Sequence, residues 1–329
     1  MNKEDFNALV ELAMRTEGLS AMRPVVEKEL LHYDIFHALD SEGLLKDIVF
    51  QGGTALRLCR GSARFSEDLD FAGGREFDSA KMAKIKACIE EHIGRRYGLK
   101  VEVKEPKPGG EADNIKVHKW TVSVVTSPGN PSLPRQKIKL EIANVPAYTR
   151  ELVPLRKNYD FLSGTGAVIV PTETVSEILA DKVVAFPNSL FDKEGKPVDA
   201  SSRKIRHRDV WDIAWLIQNR AVLDPKMVAD KLADYGVVDF MNRVKHAIAT
   251  IPQIVKGDAF NAQMSRFLDS NTFRKTIGES DYLTYLASAV GDIFEKVERD
   301  LSVAPTVQAS AQQKSPVKRK AATVPGQSR

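Results

Sequence analysis

The sequence predicts an α/β chain in two parts, a mixed-sheet first half and an all-helical second half. Three observations carry this expectation. Alternating, strand-like apolar patterns occur only before about residue 171. After it, nearly every segment repeats its apolar residues three and four apart, as helices do. Between the early segments stand strong breakers, Gly52-Gly53, Gly73-Gly74 and Pro128-Gly129-Asn130-Pro131. The expected division is 1–170, 171–301 and a tail, 302–329.

In order, residues 3–15 and 22–40 read as helices and 47–50 as a short strand stopped by Gly52-Gly53. Thr54 is placed to cap a helix running to about Leu58. Leu69-Asp70-Phe71 alternates as a strand, and 78–96 reads as a helix. Strands follow at 100–104, 116–125 and 137–142. Helices are then expected at 173–186, 204–219, 225–234, 237–248, 260–268 and 281–300, with a loop over 186–204 that holds two prolines and a glycine.

Composition sets the outer bounds. The chain has 329 residues, 43% hydrophobic and 28% charged, enough for a substantial core. It has no apolar run of the roughly 18 residues a membrane span requires, so no membrane partner is expected. Residues 1–14 lack a signal-peptide layout. The two cysteines, Cys59 and Cys88, are not spaced as metal ligands, which suits a reduced, cytoplasmic protein. The formal charge of +4 is uneven: Lys314, Lys318, Arg319, Lys320 and Arg329 follow Leu301 with no acid among them, leaving the body near neutrality. A tail of that composition cannot bury enough apolar surface to fold alone. It reads as a disordered basic terminus or, alternatively, a nucleic-acid contact arm.

Chemistry gathers in two segments. In Gly52-Gly53-Thr54 the paired glycines let a backbone approach a phosphate, a helix start offers free N–H groups, and Thr54 adds a hydroxyl. Alone, such a triplet equally describes an ordinary turn. In Ser66-Glu67-Asp68-Leu69-Asp70-Phe71, strand geometry puts Asp68 and Asp70 on one face. Two carboxylates held about 4 Å apart repel by roughly 4 kcal/mol at an effective dielectric near 20. A divalent cation turns that cost into attraction, and an oxygen-only site suits Mg2+ or Mn2+. A lone Asp-X-Asp also describes a solvated strand end. Together, a phosphate cradle and paired acids make a site for a metal–NTP complex and nucleotidyl transfer. Glu141, alternating with Leu140 and Ile142, is the candidate third metal ligand, or else a surface strand residue.

Two later helices carry charges on apolar faces. Thr174 and Glu177 form a capping-box pattern, and Val175, Ile178, Leu179 and Lys182 share one face of the helix that follows. A lysine there requires an anionic partner, and a triphosphate is one; the alternative is a side chain snorkelling at the helix edge. On the next helix Asp209 and Asp212 lie with Ile205, Ile213 and Leu216. Pairing with Arg206 or Arg208 would explain them without function.

The runs Phe50-Gln51-Gly52-Gly53-Thr54-Ala55-Leu56-Arg57-Leu58 and Arg64-Phe65-Ser66-Glu67-Asp68-Leu69-Asp70-Phe71 resemble the first motif of the AbiEii/AbiGii nucleotidyltransferase toxins. Val26-Glu27-Lys28-Glu29, Glu177-Ile178-Leu179-Ala180-Asp181-Lys182 and Arg208-Asp209-Val210-Trp211-Asp212-Ile213 resemble three further motifs of that family. The resemblance spans roughly 20–220, with threonine at 54 where some relatives carry serine. It implies a polymerase-beta-like nucleotidyltransferase sheet followed by a helical bundle. It adds Arg64 and Ser66 to the nucleotide-binding residues Gly52, Gly53, Thr54 and Lys182. It also favours Asp209 as the functional acid beside Asp68, Asp70 and Lys182, leaving Asp212 structural. The implied acceptor is RNA, in particular the tRNA 3′ end, and the implied partner is an antitoxin encoded next to it. Two rivals share the site: transfer of NMP to a protein side chain, and a non-catalytic NTP-binding module.

Overall fold

The computed structural model describes residues 3–106, 115–129 and 135–303. The expectations for Asn130-Pro131 and for nearly all of the tail lie outside these residues.

One sheet organises the first part. Its strands are β1 (Val49–Gln51), β2 (Leu69–Ala72), β3 (Val101–Lys104), β4 (Val117–Val124), β5 (Gln136–Ala143), β6 (Glu151–Pro154) and β7 (Ile169–Thr172). Their order is β3-β4-β5-β2-β1-β7-β6. It is a mixed sheet: β2 runs parallel to β5 and β1 to β7, and the other pairs are antiparallel. The last two strands were not anticipated from sequence. β6 is an edge strand whose Leu152 is 70% exposed, so it lacks a buried face that alternation could reveal. β7 contains Pro171, which normally argues against a strand. Here β7 meets β1 at a single register pair, Phe50 with Thr172.

Helices α1 (Phe6–Met14) and α2 (Arg23–Ser41) precede the sheet, and α4 (Ile85–Tyr97) packs against α2. The 78–96 expectation divides, because a 3-10 turn at Ser79–Met82 comes before α4. The short α3 (Gly52–Ala55) begins at the glycines and continues as a wider turn, Leu56–Arg60, ended by Gly61 in the left-handed region. Thr54 is therefore not a helix cap.

Every element after Thr172 is helical: α5 (Val175–Ser189), α6 (His207–Gln218), α7 (Pro225–Asp234), α8 (Phe240–Lys256), α9 (Asp258–Phe267), α10 (Ser270–Lys275) and α11 (Ser280–Val303). α8 continues well past 248 because Pro252 is accommodated inside it. α10 was not expected; Asp269 caps it by accepting from the backbone N–H groups of Asn271 and Thr272. α5 opens as its sequence suggests, Thr174 Oγ1 accepting from Glu177 N at 3.2 Å. Glu177 does not return the bond; its carboxylate accepts from the Tyr148 and Thr149 N–H groups at 2.8 and 2.6 Å. That ties α5 to the chain leaving the sheet. One continuous apolar cluster joins sheet and helices, from Phe36, Phe50 and Phe71 to Phe186 and Phe294.

Candidate active site

Gly52 and Gly53 sit where side chains would not fit. Gly52 has φ +76°, and a Cβ on it would stand 2.8 Å from Asp70 Oδ2. On Gly53 it would stand 2.3 Å from an Arg64 guanidinium nitrogen and 3.2 Å from Ser66 Oγ. The glycines thus let β1 turn into α3 directly against Asp70, Arg64 and Ser66. Thr54 faces elsewhere. It is 1% exposed, and its hydroxyl donates to the Asp68 carbonyl at 2.5 Å. It locks the backbone that carries the acids instead of presenting a hydroxyl to the cleft.

Sheet register brings the carboxylates together. Asp70 lies opposite Gln51 on one side and Glu141 on the other. Burial, with the Glu141 and Asp68 carboxylates beside it, pushes the Asp70 carboxyl up to about 6. Asp68, just before β2, accepts from the Lys139 N–H and Nζ, both at 3.2 Å. Glu141 pairs with Lys119 Nζ at 2.8 Å. Lysines on β4 and β5 thereby take the counter-ion role at the two outer acids, while Asp70 between them makes no direct ion pair among the described residues and feels Arg206 and Lys182 only at longer range. Among the described residues no three His, Cys, Asp or Glu side chains are already gathered closely enough to hold a metal ion. The all-oxygen donor set of Asp68, Asp70 and Glu141 fits a hard divalent cation in chemistry. In geometry it requires the Lys119 and Lys139 contacts to yield.

Across from the sheet, α5 and α6 contribute a row of alternating charges. Lys182 Nζ lies 2.7 Å from Asp209 Oδ1 and 2.7 Å from Asp212 Oδ2. Arg206 donates to Asp209 at 2.7 Å, and Arg64 grips both Asp212 oxygens at 2.7 Å. Burial alone would raise the Asp209 carboxyl, but Lys182 and Arg206 outweigh it and hold it well below the usual carboxylate range. At Asp212 burial is likewise outweighed, by Arg64 and Lys182, and the carboxyl is lowered. Arg64 spends its remaining nitrogen on the Phe65 carbonyl at 2.7 Å, so it is an anchor between the loop preceding β2 and α6 as well as a cleft wall. Asp212 is the buried end of this row, and Asp209 is its cleft end.

These groups line one open cleft of about 380 Å³. Gly52, Gly53, Arg64, Ser66, Asp68, Asp70, Glu141, Lys182 and Asp209 all border it. Of the residues expected from sequence, Thr54 alone does not. Lys139, Gln263 and the run Arg203-Lys204-Ile205-Arg206-His207-Arg208 were not foreseen as part of it. The signal was present, since four of those six consecutive residues are cationic. Read along the chain they had suggested only local partners for Asp209. Arg206 is such a partner; Arg203 and Lys204 make no side-chain ion pair among the described residues, and Arg208 reaches a carboxylate, Glu67, only at 3.9 Å.

The family model for the nucleotidyl transferase AbiEii toxin of type IV toxin–antitoxin systems matches residues 34–296. The chain belongs to the AbiEii nucleotidyltransferase toxins. This AbiEii chain is thus an enzyme, a nucleotidyltransferase, with an NTP as substrate and an antitoxin as counterpart; the family typically uses a divalent metal. No curated protein matches the sequence. Among solved structures the AbiEii chain is similar to MenT4, nucleotidyltransferase toxin Rv2826c from Mycobacterium tuberculosis H37Rv, at 17% identity and TM-score 0.48, covering 90% of this chain and 98% of that one. It is also similar to JHP933 from Helicobacter pylori, at 18% identity and TM-score 0.46, covering 84% and 93%. No helix among the described residues of this AbiEii chain is long and apolar enough to cross a membrane.

Proposed function

We propose that the chain transfers a nucleotide from an NTP to an RNA acceptor, the 3′ end of tRNA, with Mg2+ or Mn2+ held by Asp68, Asp70 and Glu141. The tRNA so modified would no longer be aminoacylated, and growth would stop in the cytoplasm until the antitoxin intervenes. The observation carrying this reading is the facing of three clustered carboxylates by a cationic run, residues 203–208, across one cleft. Phosphates need both: acids to recruit a cation and fixed positive charge for the rest of the anion. The chemistry a bound divalent cation supplies is activation of the attacking oxygen and stabilisation of the leaving pyrophosphate.

The protein's own groups do the remainder. The backbone at Gly52-Gly53, with Ser66, receives phosphate oxygens. Lys182, aimed by Asp209 and Asp212, faces the developing negative charge. Arg203, Lys204 and Arg208 are the cations left to meet the acceptor backbone. The helices of 171–301 form a second lobe that closes over the nucleotide.

The test is incubation of the pure protein with each labelled NTP, Mg2+ and total cellular RNA, with an RNA-free protein extract in parallel. Label from one NTP on tRNA-sized material, removed by ribonuclease, is the expected result. Label appearing only on protein would overturn the RNA acceptor, and full activity in Asp68→Asn with Mg2+ would overturn the metal assignment.

A further inference from the structure

A second cavity, of about 410 Å³, lies next to the loop that carries the acids. Two stretches of chain join it to the cleft. Ser66 and Asp68 line the cleft, and Glu67 between them lines the cavity. On α9, Gln263 lines the cleft, whereas Ser265 and Arg266 line the cavity. The turn before α2 and the start of α10 complete it. Three bonds hold this corner together. Phe65 N donates to Phe267 O at 2.8 Å, Ser270 N to Gly18 O at 3.1 Å, and Asn271 Nδ2 to Glu17 Oε1 at 2.8 Å.

Its chemistry is mixed. Met22, Val25, Leu268 and Phe273 give it apolar surface, while four of its eleven lining residues are polar, Glu67, Ser265, Arg266 and Ser270. Glu67 Oε1 is taken by Lys28 Nζ at 2.5 Å. Glu67 Oε2 accepts no hydrogen bond among the described residues, and Arg208 stands 3.9 Å from it. Arg266 is exposed, lies over the Phe267 ring and makes no carboxylate pair among the described residues.

Resting on the reading of RNA as the acceptor, we propose that this cavity receives the unpaired base next to the reacting nucleotide of the RNA and selects one that carries an amino group. An unpaired nucleotide needs an apolar slot with an aromatic ring for its base, a partner for the base edge and a cation for its phosphate. Phe273, Glu67 Oε2 and Arg266 are that set. A carboxylate oxygen accepts from the amino group of cytosine or adenine, whereas O4 of uracil offers only a second acceptor and is repelled. At most about 10 Å of chain separates Glu67 from Asp70, so a base held here is a neighbour of the nucleotide whose hydroxyl meets the acids. The C-C-A end common to tRNAs carries an amino group on every base. Glu67 is then a specificity-determining residue for the acceptor, and Phe273 is its stacking partner.

The test measures kcat and KM of the full chain on RNA hairpins ending in C-C-A and in C-U-A, with Mg2+ and the NTP that wild type uses best, and KM for that NTP in parallel. Wild type should favour C-C-A. Phe273→Ala removes the stack, and Ala21→Trp fills the cavity from an exposed position in the turn before α2. A base stack is worth about 1–3 kcal/mol, so KM for the C-C-A hairpin should rise about five- to a hundredfold in each variant while KM for the NTP stays unchanged. Ala21→Trp keeps the test open if Phe273→Ala fails to fold. Glu67→Gln offers an amide that donates to uracil O4, so the preference for C-C-A over C-U-A should shrink, a change of ratio that lost stability does not produce. Unchanged RNA KM in the folded variants overturns the proposal, as does a parallel rise in KM for NTP and RNA. Equal use of both hairpins by wild type overturns it too. Failure of the RNA-acceptor reading looks different: wild type would label neither hairpin, and the proposal would fall with it.

Discussion

Asp209 and Asp212 are chemically alike, sit one helical turn apart and both touch Lys182, yet their replacement by asparagine should have opposite consequences. Asp212→Asn takes the counter-charge from Arg64, whose side chain is 3% exposed and whose only other acceptor among the described residues is the Phe65 carbonyl. Breaking a buried ion pair by removing one partner costs about 3–5 kcal/mol. At about 2 °C per kcal/mol for a chain of this size, Tm should fall by about 6–10 °C. Asp209→Asn is milder. Arg206 is 58% exposed and returns to water, while Lys182 keeps Asp212 at 2.7 Å, so the loss should stay below about 2 kcal/mol. Activity should sort the other way. Asp209 borders the cleft and orients Lys182 there, so Asp209→Asn should lose most of its turnover in a protein that remains folded at the assay temperature. Asp212→Asn should keep measurable turnover when assayed cold. The measurements are thermal unfolding and single-turnover nucleotidyl transfer on both variants. Equal stability losses would refute the claim that Arg64 depends on Asp212. A fully active Asp209→Asn would refute the role of Asp209 in aiming Lys182.

Two further outcomes follow from buried charge. Asp70 titrates near 6 in the fold against the usual 3.8, so the folded state holds the extra proton and stability falls as pH rises through that interval. Asp70→Asn should therefore raise Tm at pH 8 in EDTA and give no gain near pH 4; a pH-independent gain would show that ionisation of the buried Asp70 carboxyl is not the cause. Lys231 on α7 is fully buried among Glu173, Glu177 and Asp181, at 3.2, 2.7 and 3.0 Å. Lys231→Met should destabilise by about 3–5 kcal/mol at pH 8. The loss should shrink towards pH 5, because burial and the Asp181 carboxylate already raise Glu173 and let it take up a proton first; denaturant melts across pH test both claims.

Much of the site could be read without coordinates, because its residues are misfits in local patterns. Asp68 and Asp70 interrupt an apolar strand, Lys182 and Asp209 interrupt apolar helix faces, and Gly52-Gly53 ends a strand abruptly. Local periodicity is enough to expose such conflicts. Five strands and most helices were legible for the same reason. β6 and β7 were not, since an edge strand and a strand holding proline acquire their pairing only from neighbours distant in sequence.

Tertiary structure decided what each misfit touches. The sequence offered Thr54 as a phosphate donor, but packing turned its hydroxyl onto the Asp68 carbonyl. It offered Arg206 and Arg208 as equivalent partners for Asp209, but α6 begins at His207 and leaves only Arg206 in reach. It offered a run of cations at 203–208 with no destination until α5 and α6 carried that run over the sheet. A side chain's type and local phase follow from near neighbours in the chain. The partners of Arg64 and Asp70, by contrast, are supplied by elements about 70 to 150 residues away, Asp212 and Glu141. Such contacts are chosen by packing of the whole core, and no window of sequence contains them.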